Sequence, residues 1–359
     1  MTRSLALFLI SLTMATSLVV AEEPSGNIED LLGQGKRAIE HDDYTKAGDC
    51  LSRILQLSGN KSSDPRVTAF GSVVLAYGTW QQHPDQVSLA QKNLESAITQ
   101  DPAWAYPYYF LARILSYSNS LDQAVPFTEK ALIIDPALAK AEDFAFLSIM
   151  YNRRQEHDRA VRMAQQGTER FPTDPMGHLA LAEAFLSGKD PLMGFYELQY
   201  AVFLGGSGNP AFLKAKQDLK ELIAQYRNEP GRQQQPELFA CLEAFRLQSE
   251  SRFSESILLF QQALSLRATP HPLVHLFLGE AYLQDNQLEA GIRELKLVAA
   301  AITWFAPSYA ELGDAYEMLK DYESAKGWWN RSIVVDPINW KSQQAKASVE
   351  RLAKKSKAL

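Results

Sequence analysis

The stretch GDAYEMLKDYESAKGWWNRSIVVDP, residues 313–337, holds no paired catalytic residues, no glycine-rich phosphate loop and no metal-ligand spacing, yet it is regularly built. With its lead-in, Tyr309, Leu312, Gly313 and Tyr316 fall at i, i+3, i+4 and i+7, one face of a helix. Tyr322, Ala325, Trp329 and Ser332 mark the inward face of a second helix, which ends at Asp336-Pro337 because proline cannot continue it. Gly313 and Ala325 are small where two antiparallel helices cross, since larger side chains there hold the backbones apart. The whole unit, 306–339, is 34 residues long.

The same template recurs along the chain. Residues 105–138 repeat it with Tyr108, Leu111, Ala112, Leu115, Leu121, Ala124, Ala131 and Asp135-Pro136; residues 71–104 do so with Tyr77, Gly78, Ala90, Leu94, Ala97 and Asp101-Pro102. Further copies lie at 141–174 and 272–305, and weaker ones at 28–61, 175–208 and 237–270. The period breaks at 62–70 and at 209–236. Within the second break PAFLKAKQDLKELIAQYRN reads as a linking amphipathic helix and EPGRQQQP as a polar loop at which the chain is expected to flex. Residues 340–359 read as a capping helix with a basic tail at Lys354, Lys355 and Lys357, because the end of a stacked array needs a solvated face.

Small residues and aromatics at these places in a 34-residue helix–turn–helix unit resemble the tetratricopeptide repeat family. The resemblance implies an all-α, right-handed superhelical solenoid of antiparallel helix pairs, with about eight repeats and a C-terminal capping helix. It divides the chain into an N-terminal array over 22–208, a link over 209–236, a C-terminal array over 237–339 and the cap.

The first 21 residues, MTRSLALFLISLTMATSLVVA, have one Arg, an apolar run and small residues before an acidic segment. That is the pattern of a cleavable secretory signal, so an exported protein, periplasmic or extracellular, is expected, with no transmembrane segment in the mature chain. Retention of this segment as an anchor is the alternative, against which stand the hydroxyl residues that interrupt the run and the lack of a basic stop-transfer cluster. Cys50 and Cys241 do not make a disulfide framework and read as small buried residues. A net charge of −6 is the wrong overall sign for nucleic acid, which is not an expected partner.

Chemistry is hard to find in this chain. His271 and His275 have the i, i+4 spacing of a metal pair, but no Glu follows the first and Pro272 opens a helix there. LGQGKR at 32–37 lacks the spacing and hydroxyl of a phosphate loop, and GGSGNP at 205–210 follows a helix rather than a strand. Of the glycosylation-type sequons at Asn60 and Asn330, the second falls inside a helix. No catalytic residue, metal site or cofactor is nominated, and the reading is of a protein that is not an enzyme.

The resemblance places partner contacts on the inner face, where the first helix of each unit lines a groove. Tyr106, Tyr109, Arg113 and Tyr117 of the third unit, with Phe146 and Asn152 of the fourth, form a candidate groove of rigid rings with polar tips, the composition of binding hot spots. Packing of the same rings against neighbouring units is the competing account. Glu280, Glu311, Asp314 and Glu317 make a secondary acidic surface, able to draw a basic partner segment or simply to be solvated. The function expected is a non-enzymatic scaffold that binds a protein or peptide partner. Resemblance to exported proteins of this type implies a place in the cell envelope or secretory compartment. The alternatives are a self-assembling structural protein, and a glycan-binding or noncatalytic subunit of an envelope complex.

Overall fold

The computed structural model describes residues 27–59, 62–83, 87–206, 208–227 and 229–357. The expected signal peptide at 1–21 and the sequon residue Asn60 lie outside the described residues. Among the described residues the regular elements are all helical, and none of the helices is long and apolar enough to cross a membrane. The chain divides into two compact units between Ala139 and Lys140.

The first unit is three helical hairpins: α1 (Ile28–Glu40) with α2 (Tyr44–Leu57), α3 (Pro65–Gln82) with α4 (Val87–Gln100), and α5 (Ala105–Tyr117) with α6 (Leu121–Ile134). Residues 62–70 do not simply interrupt the period, because α3 begins at Pro65. Asp64 accepts from the Arg66 N–H at 2.9 Å, Pro65 supplies a preset φ in the first turn, and Val67, Ala69 and Phe70 are buried. Phe70 seats against α1 where Gly35 leaves room, since a Cβ on that glycine would lie 2.3 Å from the ring. Asp43 caps α2 through the Lys46 N–H, whereas Ser120 holds the cap position of α6 without a side-chain bond.

The second unit opens with two hairpins, α7 (Ala141–Arg153) with α8 (His157–Arg170), and α9 (Pro175–Ser187) with α10 (Pro191–Leu204). Then come α11 (Pro210–Tyr226) and a short α12 (Glu229–Gln234), where the sequence suggested a polar loop. Three further hairpins follow, α13 (Pro236–Ser249) with α14 (Phe253–Ser265), α15 (Pro272–Gln284) with α16 (Leu288–Ala301), and α17 (Ala306–Met318) with α18 (Tyr322–Val335). The chain then enters α19 (Trp340–Lys357). In the last hairpin Ala325, Trp329 and Ser332 are buried as the spacing predicts, while Tyr322 at the start of α18 is exposed.

Seven of the hairpin turns among the described residues share one device that composition does not show. Asp42, Asn119, Gln155, Lys189, Ser251, Asn286 and Lys320 each adopt a left-handed backbone, with φ between 59° and 65°. In every case the next N–H reaches back five residues to a carbonyl, as in Asp43 to Ala38 at 2.8 Å and Asp321 to Tyr316 at 3.0 Å. This closes the first helix and reverses the chain. None of these residues is glycine, although a side chain in this conformation costs roughly 1 kcal/mol.

The core of the second unit is organised around α10, PLMGFYELQYAVFL, a helix buried nearly all round. A helix that is apolar on every side belongs inside a protein. Phe195 meets Phe245 of α13 and Phe277 of α15, Tyr200 meets Trp304 and Phe305 just before α17, and Phe203 meets Phe277 and Phe305. The Phe203 carbonyl accepts from the side chains of Asn339 and Trp340 at 3.1 and 3.0 Å. The hairpins over 236–335 therefore wrap α10. Ala211, Ala215 and Leu222 of α11 join the same core as Phe195 and Leu238, so apolar packing continues through 209–236.

Candidate functional site

In the first unit, the beginning of α2, the end of α3 and the length of α5 converge on a cleft of about 300 Å³. Tyr106, Phe110 and Ile114 are its buried floor, Tyr44 and Tyr77 form one wall, and Trp80 and Tyr117 stand at the mouth beside Asp42, Gln81 and Arg113. The period places these residues. Tyr106, Phe110, Arg113 and Tyr117 lie at i, i+4, i+7 and i+11 on α5, a single stripe, and Tyr77 and Gln81 are one turn apart on α3.

The rings are set at definite angles. Tyr44 and Tyr77 stack with centroids 3.3 Å apart and planes within 3°, while Trp80 and Tyr117 meet edge to face at 5.4 Å and 84°. The inward polar atoms satisfy one another: the Tyr44 and Tyr106 hydroxyls are hydrogen-bonded, and Gln81 donates to the Tyr77 hydroxyl at 3.0 Å. Burial pushes the Tyr44 phenol up to about 12, against the opposing effect of its bond to Tyr106, and burial also raises Tyr106. Both phenols therefore stay neutral, and the cleft carries charge only at its rim. Tyr117 is 83% exposed, an unusual position for a tyrosine beside a tryptophan.

The nominated groove residues separate into different settings. Tyr106, Arg113 and Tyr117 share the cleft. Tyr106 and Tyr109 are each only 5% exposed, which makes them packing residues, with the Arg113 guanidinium 5.8 Å from the Tyr109 ring. Phe146, in the second unit, is part-buried on α7. Asn152 lines a different space of about 730 Å³, bounded by α7, α9 and α11 and carrying Lys214, which pairs with Glu183 at 3.3 Å and Asp218 at 2.5 Å. Tyr44, Tyr77 and Trp80 were not nominated. Counting inner positions within a unit misses them because Tyr44 begins a second helix, and because α3 starts earlier than the repeat template allows.

The acidic residues lie against the chain's own cap. Glu311 is buried and paired with Lys341 of α19, Asp314 accepts from the Trp329 indole N–H at 2.8 Å, and Glu317 pairs with Arg351 of α19 at 2.8 Å. Glu280 joins Glu311, Asp314 and Lys341 around one open hollow of about 410 Å³. Burial and then the neighbouring Glu311 push Glu280 up to about 8; the same two causes push Asp314 up to about 6 against the opposing effects of Trp329 and Lys341. Both carboxyls are easier to keep protonated in the folded state than in the unfolded one. Their contribution to stability is full below about pH 4 and is lost as pH rises through about 6 and then about 8. Glu280→Gln is expected to leave urea unfolding at pH 4 unchanged and to raise stability by about 2 kcal/mol at pH 8.5. A variant equally or less stable than the parent at the higher pH contradicts this account.

The two histidines with metal-like spacing serve separate contacts. His271 accepts from the Leu273 N–H at the start of α15 and stacks on Tyr196 at 4.0 Å, and burial lowers it to about 3; His275 bonds Glu294 at 2.7 Å. Cys50 and Cys241 are buried thiols, and burial raises both.

Helix pairs repeating at the sequence period, small residues at their crossings and a shared left-handed turn decide the architecture. The fold is a tetratricopeptide-like repeat array. No family model matches the chain. No curated protein matches it. Solved structures similar to it include YrrB, described as a tetratricopeptide protein with an unusual peptide-binding site, at 16% identity over 71% of this chain and 97% of that one, with a TM-score of 0.27. A tetratricopeptide repeat protein from Parabacteroides merdae is similar at 11% identity over 79% of this chain and 98% of that one, with a TM-score of 0.38. The tetratricopeptide domain of P58(IPK) is similar at 12% identity over 92% and 99%, with a TM-score of 0.29. The architecture rests on the repeat array itself rather than on these distant overlays.

Proposed function

We propose that the protein is a non-enzymatic interaction scaffold that acts outside the cytoplasm and holds a segment of a partner protein in the aromatic cleft of its first unit. The observation that carries the reading is the pairing of a fully presented Tyr117 with Trp80 over a floor of buried rings. Exposed aromatic anchors beside an arginine are what binding energy concentrates on. The inner surface of the second unit is less suited to this role, since α10 occupies the space that its later hairpins enclose. Export rests on the sequence of residues 1–21.

The test is site-specific photocrosslinking from position 117 in cells, followed by purification and intact mass. The expected result is one dominant adduct on a chain that lacks residues 1–21. Capture is expected to fall by roughly 30-fold in a Trp80→Ala, Tyr117→Ala double variant that melts like the parent, and less in Arg113→Ala. Equal capture by the folded double variant overturns the cleft reading. No adduct, together with a size that grows with concentration, replaces it with self-assembly. A purified chain that begins at Met1 overturns cleavage of residues 1–21 and leaves their retention as an anchor.

A further inference from the structure

We infer that the cleft of the first unit recognises a proline-rich segment in the extended polyproline conformation, an assignment that rests on the scaffold reading and names the chemistry of its partner. The first argument is size. One turn of an α-helix, about 10–12 Å across with a 5.4 Å pitch, fills roughly 400–600 Å³. The cleft offers about 300 Å³, too little to take in a whole helical turn but enough for two or three residues of extended chain.

The second argument is the surface the cleft presents. Flat rings stand at fixed angles to one another, with Tyr44 on Tyr77, Tyr77 tilted 43° to Phe110 at 6.4 Å, and Trp80 edge-on to Tyr117. Flat aromatic faces held at fixed angles suit the flat pyrrolidine ring, whose chain is already extended and loses little entropy on docking. The third argument is polar bookkeeping. The Tyr44 and Tyr106 hydroxyls are committed to each other, and the Tyr77 hydroxyl already accepts from Gln81. A sugar brings many hydroxyls that need partners inside the cleft, where unsatisfied groups are costly. Proline brings no N–H, and its carbonyls can stay in water or meet the rim at Arg113 and Gln81.

The test is fluorescence anisotropy of labelled decaproline with the full mature chain, run beside an amphipathic helical peptide and a chitin hexasaccharide. Saturable decaproline binding is expected, weakened about 10-fold or more in Trp80→Ala and in Tyr117→Ala, and kept in Tyr117→Phe, which preserves the ring. The helical peptide and the sugar are expected not to compete. Absence of saturable decaproline binding overturns the inference, as does binding that both alanine variants retain. Binding of the sugar or the helical peptide in its place, lost in the same variants, also overturns it. The crosslinking result at position 117 separates the two readings: an adduct there with silent decaproline keeps the scaffold and removes only the proline-rich ligand.

Discussion

Replacing Gly313 with alanine lowers the stability of the second unit by about 2–3 kcal/mol, even though alanine is the better helix former by about 1 kcal/mol. The reason is contact with a ring that has nowhere to go. A Cβ at position 313 would lie 2.2 Å from Cδ1 and 2.4 Å from Nε1 of Trp329, which is fully buried and holds Asp314 through its indole N–H. Urea unfolding of Gly313→Ala, Trp329→Phe and the double variant gives the decisive comparison. Trp329→Phe removes ring volume, so the alanine is expected to cost at least about 1 kcal/mol less in that background. Additive losses would show that the ring is not the obstacle and that the tight crossing of α17 and α18 has another cause.

Phe195→Ala is expected to have the larger effect, a loss of about 3–5 kcal/mol, because it empties a fully buried site at which no neighbouring side chain can easily collapse. Phe195 lies in α10 against rings from α13 and α15, so the damage is expected to reach beyond its own hairpin. Amide exchange followed residue by residue checks this. Protection is expected to fall in α13 and α15 as well as in α9 and α10. Loss confined to α9 and α10 would mean that α10 is a neighbour of the later hairpins rather than the body they enclose.

The repeat was legible because its signal is carried by many positions at once: Gly313 and Trp329, Leu111 and Ala131, Leu94 and Ala97 all follow from one spacing. The left-handed turn residues were not. At Gln155, Lys189 and Lys320 the chain adopts a conformation that glycine favours without using glycine, so composition gives no sign of it. Half of the cleft was legible through the stripe on α5. The other half depends on where α3 begins, and a repeat template aligned on its strongest copies sets aside the Asp64-Pro65 start signal. Tyr109 shows the limit of counting inner positions: its place on α5 suits a groove, yet it is buried. The apolar run of α10 was in plain view, but a template that asks only for one inward face cannot distinguish a helix buried on all sides.

The enclosure of α10 has a consequence for the order in which the chain matures. Stacked repeats ordinarily zip up from neighbour to neighbour, each hairpin needing only the one before it. Here Phe203 finds its hydrogen-bonding partner Trp340 only after a separation of 137 residues. The first unit can complete itself as soon as it emerges, whereas α10 is covered in stages: Phe195 once α13 and α15 are present, Tyr200 and Phe203 fully only once Trp304 and Phe305 follow. Long-separation closure of this kind is slow, and the uncovered interval is when an apolar segment is most prone to aggregate. For this chain the vulnerable species is therefore the nearly finished one, and a truncation that removes Trp304, Phe305 and everything after them exposes a helix far upstream of the cut.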